Sequence, residues 1–407
     1  MVTQDRGVVI VGAGLGAARV AENLRTGGFS APITIIGEER YLPYDRPPLS
    51  KSVLLGTSDR VELKPRDFYD ANDITLRLGQ RVTSVSSADQ TVRVERVDAP
   101  VQAHSGGHDD LGYDSLIVAT GLRPRRLPGL AAATAGVHVL RTYDDAVALR
   151  AEIDTAQTAV VVGAGFIGCE VAASLAARSI AVTLIEPAPT PLAAALGPDI
   201  GALVVRLHQA NGVDVRTGIG VAEVVIEGGV ARGVRLSDGT RLAADIVVVG
   251  IGSVPVVDFL DGSGIEVAPR EVGGGVACDA TGRTSAAQVF ALGDVANWLD
   301  ATGNPRRVEH WSHVVEQSAI VAAQIVGGDA AAASVPYFWS DQFDLKIQLF
   351  GDARPGDDIH IVDEGRKFLA YYSRDGLLTG VVGAGKVGAV MKTRPKLLTP
   401  TPISELL

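Results

Sequence analysis

The chain has 407 residues, of which 46% are hydrophobic and 5% aromatic, and 37 basic against 47 acidic side chains give a formal net charge of −10. This length allows two or three domains with a sizeable core, and the acidic balance disfavours non-specific binding to nucleic acid or to an anionic membrane. The polar start of the chain and the lack of an apolar run of about 18 residues predict neither a signal peptide nor membrane insertion, so we expect a cytoplasmic protein.

The stretch Val8–Ala17 (VVIVGAGLGA) predicts a strand, a tight glycine turn and the start of a helix over Leu15–Arg25. Glycines in such a turn let backbone N–H groups approach a pyrophosphate at the positive end of the helix. A second strand, Ile33–Ile36, is followed by Gly37 and Glu38, whose carboxylate can bind ribose hydroxyls. This order of elements, a strand, a turn, a helix, a second strand and an acid, predicts a dinucleotide-binding unit.

The next part of the chain combines a rigid loop with predicted strands of an antiparallel sheet. Two successive prolines in Tyr41–Lys51 exclude a helix there, and the loop either directs charged side chains or is a plain surface loop. Alternation predicts strands over Leu76–Val82 and Val92–Val97. The polar stretch His104–Asp110 predicts a solvated turn, and we expect no metal site. A buried strand over Ser115–Ala119 then leads into Thr120 and Gly121.

The opening pattern repeats after a predicted helix over Thr142–Ile153. Ala159–Val162 predicts a strand, Gly163–Gly168 is a full GxGxxG turn, and Cys169–Ala177 predicts the helix. The strand that follows ends at Glu186, which would accept hydrogen bonds from a ribose 2′-hydroxyl and repel a 2′-phosphate. Pro187–Pro191 contains no arginine that could bind such a phosphate. The sequence therefore predicts two nucleotide sites, the second of which prefers NADH to NADPH.

The remaining elements complete the two predicted units and add a third domain. A helix over Val204–Gly212 and alternating strands up to Leu242 precede a buried strand in Asp245–Gly252. A last buried strand, Val289–Val295, carries Asp294 at the strand end, where such sheets bind ligands. A helix follows from Ser312 to about Val326, and from Val335 short strands and turns indicate a smaller domain.

The sequence contains only two cysteines, Cys169 and Cys278, and they are not arranged as a CxxC pair. This spacing indicates neither a disulfide framework nor a redox-active dithiol, so both are interpreted as small core residues.

Together these stretches resemble the NADH-dependent, FAD-containing ferredoxin reductases of bacterial oxygenase systems, within the glutathione-reductase-like flavoproteins. The likeness spans essentially the whole chain, and its markers are Arg46–Lys51 (RPPLSK), Ala119–Gly121, Gly163–Glu170, Leu292–Asp294 and Phe338–Gln342 (FWSDQ).

The resemblance implies an α/β fold with two Rossmann-like dinucleotide-binding domains and a smaller α+β C-terminal domain. The implied limits are 1–121 and 245–322 for a discontinuous FAD domain, 122–244 for an NADH domain and 323–407 for the C-terminal domain.

The resemblance also implies roles for individual residues. Lys51 would lie beside the flavin and Glu170 near the nicotinamide carboxamide, and these two are the candidate catalytic residues. Glu38 would bind the adenosine ribose, the Val82 backbone would lie near the adenine, and Asp294 would bind the ribityl chain. The residues expected to bind FAD are Gly12, Gly14, Leu15, Gly16, Glu38, Arg46, Lys51, Val82, Ala119, Thr120, Gly121, Arg141, Asp294 and Trp311. Those expected to bind NADH are Gly163, Gly165, Ile167, Gly168, Glu170, Glu186 and Gly252.

Electrons are expected to leave directly from the flavin, because Tyr41–Leu55 lacks the cysteines that disulfide reductases carry there. Since an iron–sulfur cluster needs several thiolates, the expected acceptor is a separate [2Fe–2S] ferredoxin that feeds a cytochrome P450 or a ring-hydroxylating oxygenase. Rubredoxin, a quinone or oxygen as acceptor, and a non-catalytic flavoprotein like apoptosis-inducing factor, remain alternatives, as do a monomer and a dimer.

An acidic ferredoxin would need a basic docking surface. The C-terminal stretch offers Arg366, Lys367, Arg374, Lys386, Lys392, Arg394 and Lys396, with Arg306 and Arg307 as further candidates. Alternatively, these basic residues belong to an ordinary solvated surface with no docking role. For Trp339, buried packing between domains is preferred to a role as electron relay.

Overall fold

The computed structural model describes residues 6–97, 109–130, 134–300, 302–328, 335–354 and 356–407. The chain divides into two compact units, each built from several stretches of sequence. The described residues of Met1–Asp45, Val61–Arg123 and Val254–Ser334 form the first unit, and those of Arg46–Arg60, Pro124–Ser253 and Val335–Leu407 form the second. Within the described residues, no helix combines the length and apolar character that crossing a membrane requires.

The strands in chain order are β1 (Val8–Val11), β2 (Ile33–Gly37), β3 (Ile74–Leu78), β4 (Gln80–Ser86), β5 (Thr91–Arg96), β6 (Asp109–Gly112), β7 (Ser115–Val118), β8 (Leu122–Pro124), β9 (Val137–His138), β10 (Thr158–Val162), β11 (Ala181–Glu186), β12 (Asp214–Thr217), β13 (Val221–Glu227), β14 (Val230–Leu236), β15 (Arg241–Ala243), β16 (Ile246–Val249), β17 (Ser253–Pro255), β18 (Val276–Cys278), β19 (Val289–Ala291), β20 (Ala296–Leu299), β21 (Pro305–Arg306), β22 (Tyr337–Gln342), β23 (Leu345–Gly351), β24 (Asp358–Glu364), β25 (Lys367–Arg374) and β26 (Leu377–Ala384).

The α-helices are α1 (Leu15–Thr26), α2 (Arg66–Ala71), α3 (Tyr143–Ile153), α4 (Phe166–Ala177), α5 (Ala193–Leu196), α6 (Pro198–Ala210), α7 (Trp311–Val326) and α8 (Val387–Thr393). Short 3₁₀ turns occupy Pro47–Ser50, Asp258–Leu260, Arg270–Val272, Gly293–Val295, Arg394–Leu398 and Ile403–Glu405.

The first unit is organised by a parallel sheet in the order β19-β7-β1-β2-β3. Val8–Val11 pairs on both sides and is buried throughout, as expected for a central strand whose two faces are covered. Helix α1 buries Ala17, Val20 and Leu24 against this core. An antiparallel sheet, β4-β5-β6, and a small sheet, β18-β20-β21, complete the unit.

The second unit contains a similar parallel sheet in the order β12-β11-β10-β16-β9, with an antiparallel sheet β13-β14-β15. It also contains the C-terminal sheet, antiparallel in the order β22-β23-β26-β25-β24. Ile347 and Tyr372 of this C-terminal sheet share one buried cluster with Leu184 of β11 and with Leu54. The Tyr372 hydroxyl donates to the Leu196 main-chain oxygen over 2.8 Å, so the C-terminal sheet and the parallel sheet form one packed body.

The compact units group some stretches differently from the predicted domains, whose limits stay a prediction. Asp245–Gly252, assigned from the sequence to the first domain, belongs to the second unit because β16 pairs in parallel with β10. The loop Arg46–Arg60 is also part of the second unit, as are the described residues of Val335–Leu407. These limits follow from strand pairing and shared burial, which the linear order of motifs does not contain.

Local predictions were mostly correct, with two instructive differences. The predicted strand Leu76–Val82 is two strands, because Gly79 adopts a positive φ of 67° and sends β4 into the antiparallel sheet. Helix α6 begins six residues earlier than predicted, at Pro198, which is well suited to a first helical position. Of the predicted polar turn His104–Asp110, residues 104–108 lie outside the described residues.

Candidate cofactor and active site

The first predicted nucleotide cradle lies at the carboxyl edge of the parallel sheet in the first unit. A Cβ at Gly12, whose φ is +109°, would collide with the Ala119 carbonyl, whereas a Cβ at Gly14 would meet no atom within 4 Å. Gly14 is the N-cap of α1 and no side chain caps this end of the helix, so unpaired N–H groups face open space there. Leu15 begins the helix, and the absence of a Cβ at Gly16 allows close approach by the Leu292 side chain. This geometry fits the pyrophosphate of a dinucleotide.

Further residues expected to bind FAD follow the neighbouring strands of the same sheet. Ala119–Gly121 follows β7, and the Thr120 hydroxyl donates to the Val256 main-chain oxygen over 2.8 Å. Asp294 lies in the turn after β19, and Glu38 follows β2. Because all these strands are parallel, their carboxyl ends share one edge, which the sequence analysis expected.

Two of these residues have partners that the sequence analysis did not identify. Glu38 forms an ion pair with Arg81, and both side chains are more than half exposed. Trp311, the first residue of α7, donates from Nε1 to the Asp45 carboxylate over 2.9 Å. No spacing rule in the sequence relates either pair, because each joins separate elements.

Val82 lies away from this strand edge, in β4 of the antiparallel sheet, where it is buried and pairs with Val94. Arg46, Lys51 and Arg141 lie in the second unit. There the Arg46 guanidinium donates to the Arg141 main-chain oxygen.

The second cradle repeats the geometry of the first within the second unit. Gly163 has a φ of +97°, and a Cβ there would collide with the Gly250 carbonyl. Gly165 caps α4 without a side-chain bond and opens onto free space, whereas Gly168 packs against the Gly163 carbonyl. Ile167 is 47% exposed on the first turn of α4, and Gly252 follows β16 with a φ of +90°.

Glu186 lies over the second cradle as its spacing predicted. One carboxylate oxygen accepts a hydrogen bond from the Ala164 N–H over 2.7 Å, and the other accepts from the Ala188 N–H over 2.9 Å. These bonds hold a negative charge at the turn that would face the adenosine ribose.

Glu170 is the centre of a buried polar cluster in the second unit. Its side chain in α4 is nearly fully buried and lies 2.7 Å from the Lys51 ammonium. The Ser50 hydroxyl donates to the same carboxylate over 2.5 Å, and the Ser340 hydroxyl donates to its other oxygen over 2.7 Å. The sequence analysis named Lys51 and Glu170 but missed both serines. Ser340 lies within the FWSDQ marker, so its position alternating with Phe338 and Gln342 was the available signal.

The thiols are unsuited to redox chemistry. Cys169 and Cys278 are free and buried. Desolvation raises the pKa of the Cys169 thiol far above its ordinary value and that of Cys278 to about 12. Both are therefore inert core residues, as expected.

Several of the predicted basic residues of the C-terminal stretch have acidic partners. Four form ion pairs within the second unit, namely Arg366 with Asp344, Arg374 with Asp357, Lys386 with Glu364 and Lys396 with Glu405. Lys392 and Arg394 are exposed, and neither forms an ion pair within the described residues, although Arg394 lies 5.5 Å from the Phe350 ring. The acids come from other segments of the chain, so the charges along the C-terminal stretch alone did not reveal these ion pairs.

Arg307 makes contacts within the first unit that its predicted docking role did not anticipate. Its side chain is only 13% exposed and donates to the main-chain oxygens of Gly273 over 2.8 Å and Asp294 over 3.1 Å. It also pairs with Glu309 at 2.6 Å. Arg306 is exposed on β21 of the same unit.

Trp339 also differs from expectation, since it is only half-buried. It stacks on Tyr337 at 5.7 Å between ring centroids and lies under the Lys346 ammonium.

Comparison with known proteins identifies the family of this chain. Residues 6–318 match the family model described as pyridine nucleotide-disulphide oxidoreductase. The chain belongs to this family. A second family model, described as reductase C-terminal, matches residues 337–403.

Two curated relatives and one solved structure are similar to most of the chain. Rhodocoxin reductase of Rhodococcus erythropolis is 35% identical over 98% of this chain and 90% of its own length. The ferredoxin–NAD(+) reductase component of the p-cumate 2,3-dioxygenase system of Pseudomonas putida is 37% identical over 90% of this chain and 87% of its own. The structure of putidaredoxin reductase in its covalent complex with putidaredoxin superposes with a TM-score of 0.88 at 30% identity, covering 97% of this chain and 93% of that one. The resemblance and the fold class expected from the sequence are thus confirmed.

Proposed function

We propose that this protein is an NADH-dependent ferredoxin reductase. It transfers a hydride from NADH to FAD and delivers single electrons to a [2Fe–2S] ferredoxin that serves a cytochrome P450 or a ring-hydroxylating oxygenase. Its relatives include ferredoxin–NAD(+) reductases, and the resemblance to FAD-containing reductases supports FAD as the bound flavin. The observation that carries the proposal is the pair of uncapped glycine cradles in a chain whose two thiols are buried and inert.

The two cradles have different proposed occupants. Gly12, Gly14 and Gly16 with Ala119–Gly121 and Asp294 would hold FAD. By the family resemblance, Lys51 and Arg46 are also assigned to FAD, with Lys51 beside the flavin. Gly163, Gly165 and Gly168 with Glu186 would hold NADH. Bound FAD accepts a hydride and releases electrons singly, and the chain's own contribution is to position nicotinamide and flavin, since hydride transfer needs no acid or base. The Lys51 ammonium supplies positive charge that favours reduction.

The absence of an accessible thiol directs electrons to an external acceptor. Disulfide reductases pass electrons from flavin to a cysteine pair, whereas neither cysteine of this chain is accessible. The proposed docking surface comprises Lys392 and Arg394 of the second unit, next to the exposed apolar side chains of Met391 and Leu398. An apolar centre with a basic rim is suited to an acidic electron carrier. Arg307 is omitted from this surface because its side chain is engaged, and Lys396 contributes only in part.

The proposal is tested with the purified FAD-loaded protein, NADH and a panel of [2Fe–2S] ferredoxins. Reduction of cytochrome c should depend on added ferredoxin, while oxygen consumption without a carrier should be slow. Rapid consumption of NADH without any carrier would favour an oxidase instead. Reduction of rubredoxin or of a quinone at a higher kcat/KM than any ferredoxin would change the proposed acceptor.

A further inference from the structure

A chain of buried hydrogen bonds leads to Glu170 from the C-terminal sheet. Ser340 is fully buried on β22 and donates to the Glu170 carboxylate over 2.7 Å. The Gln342 side-chain amide lies 3.2 Å from the Ser340 oxygen, and its carbonyl lies 3.0 Å from the Nε2 atom of His208 on α6. Glu170, Ser340, Gln342 and His208 all belong to the second unit, as do Ser50 and Lys51.

The donors of this chain all point toward Glu170. An ionised carboxylate only accepts, so the Ser340 hydroxyl must donate to it and can accept only from the amide NH₂ of Gln342. The Gln342 oxygen therefore faces His208, which must carry its proton on Nε2. Desolvation lowers the pKa of His208 to about 4, so the ring is neutral near pH 7 with one proton to donate. Its Nδ1 atom has no hydrogen-bond partner within the described residues, in agreement with this tautomer.

Strand geometry explains why these side chains meet. Successive side chains of a strand point to opposite faces, so Phe338, Ser340 and Gln342 share one face of β22. Phe338 packs on Phe166 of α4 at 4.1 Å between ring centroids, and this contact places the face against the helix that carries Glu170. Trp339 points to the other face.

We propose that Ser340 is a positioning residue that holds the Glu170 carboxylate in place and thereby sets the position and effective charge of the Lys51 ammonium. The inference rests on the proposed function, which places Lys51 beside the flavin. With Ser340 in place, the negative charge of Glu170 is shared among three donors. Without the Ser340 hydroxyl, one buried carboxylate oxygen is unsatisfied, so Glu170 attracts Lys51 more strongly and makes the electrostatic potential near the flavin more negative.

The test compares the midpoint potential of bound FAD in the wild type and in Ser340→Ala. We expect the reduced form to become about tenfold less favoured, which corresponds to a fall of about 30 mV for a two-electron couple. The control is Ser373→Ala, because Ser373 is buried in the same sheet and its side chain makes no hydrogen bond within the described residues. This control should leave the potential unchanged. Ser340→Cys keeps the volume and a weak donor, and a smaller shift of the same sign is expected even if the alanine variant folds poorly.

A double-mutant cycle separates action through Glu170 from a general structural effect. In a Glu170→Gln background, Ser340→Ala should shift the potential by much less than in the wild type, since the charge it stabilises is gone. Equal shifts in the two backgrounds, or no shift beyond that of Ser373→Ala, would overturn the inference. Failure of the wild type to bind FAD or to be reduced by NADH would instead overturn the proposed function.

Discussion

The guanidinium of Arg307 donates a hydrogen bond to the main-chain oxygen of Asp294 over 3.1 Å, at the turn that follows β19, an edge strand of the first parallel sheet. From the other side of this turn, the Gly293 N–H donates to the Gln317 side chain over 2.7 Å. The turn that presents Asp294 is therefore fixed by two side chains, one of which the sequence analysis assigned to docking.

Replacing Arg307 tests this role directly. Arg307→Gln should weaken FAD binding about tenfold and lower the free energy of unfolding by about 1–3 kcal/mol, because it removes charge-assisted bonds to Gly273 and Asp294. Flavin fluorescence during dialysis and urea unfolding measure the two effects. Arg306→Gln, at the exposed neighbouring position, is the control and should have little effect on either. A higher KM for ferredoxin with unchanged FAD binding in Arg307→Gln would return this residue to the docking surface.

Glu186 should decide the choice of nicotinamide cofactor. Glu186→Ser removes the carboxylate held by the N–H groups of Ala164 and Ala188. Loss of a charged hydrogen bond to the ribose should lower kcat/KM for NADH about 10-fold to 100-fold, and loss of repulsion should raise the NADPH/NADH ratio. Steady-state kinetics with both cofactors provide the measurement. Glu223→Ser, at an exposed ion pair of the same unit, is the control. An unchanged cofactor ratio would contradict the assigned role.

The ion pair of Lys51 and Glu170 should be far more important for stability than an exposed pair. Lys51→Met leaves a buried carboxylate without its cation, and we expect the free energy of unfolding of the FAD-loaded protein to fall by about 3 kcal/mol. Adding Glu170→Gln should recover much of this loss. Arg206→Met, which breaks the exposed pair with Asp363, should cost less than about 1 kcal/mol. Urea unfolding compares the variants, and equal costs for Lys51→Met and Arg206→Met would refute this ranking.

Ferredoxin docking should respond to Lys392 and Arg394, which form no ion pair within the part of the chain that the structure describes. The double variant Lys392→Glu with Arg394→Glu should raise the KM for ferredoxin about tenfold or more and weaken its dependence on ionic strength, while NADH–ferricyanide activity stays unchanged. Arg366→Glu makes a similar change at a residue whose charge is already paired with Asp344, so its effect should be smaller. Equal loss of ferredoxin and ferricyanide activity in the double variant would rule out docking there.

His208 should contribute to the loss of folding stability at acidic pH. Burial lowers the pKa of this side chain to about 4, whereas the unfolded chain titrates near 6.5. Between these values the unfolded state binds more protons than the folded state, so the free energy of unfolding falls as the pH falls from about 6.5 to 4, by about 3 kcal/mol in total. His208→Gln should remove this contribution to the pH dependence of the free energy of unfolding. The contribution of His310 should remain, because desolvation lowers its pKa to about 4 as well.

Urea unfolding at pH 7 and pH 5 measures the effect, with His360→Gln on the exposed face of β24 as the control. The difference between the two pH values should shrink for His208→Gln and stay unchanged for His360→Gln. A His208→Gln variant that retains the full difference would show that the folded protein tolerates a charged ring at this position.

Much of the fold was predictable because its signals are local. The strand Val8–Val11, the glycine turn and the helix from Leu15 follow one another within one stretch, and each depends on side-chain type and spacing. The same holds for the second unit from Thr158 to Glu186, where the terminal acid lies where its distance from the glycines predicted.

The sequence by itself determined the two nucleotide cradles, the terminal acids and the absence of a redox thiol pair. The cradles were predictable because the conformation of a glycine turn and the burial of a β-branched strand depend on residues that are neighbours in sequence. Only the tertiary structure decided which charges are paired. Arg81 neutralises Glu38, Asp344 neutralises Arg366, and Arg307 supports Asp294 instead of facing solvent. It also brought Ser340 to Glu170 across 170 residues of chain. Such contacts join strands and helices that are remote in sequence, and their electrostatic energy depends on distance and burial, which composition and spacing do not specify.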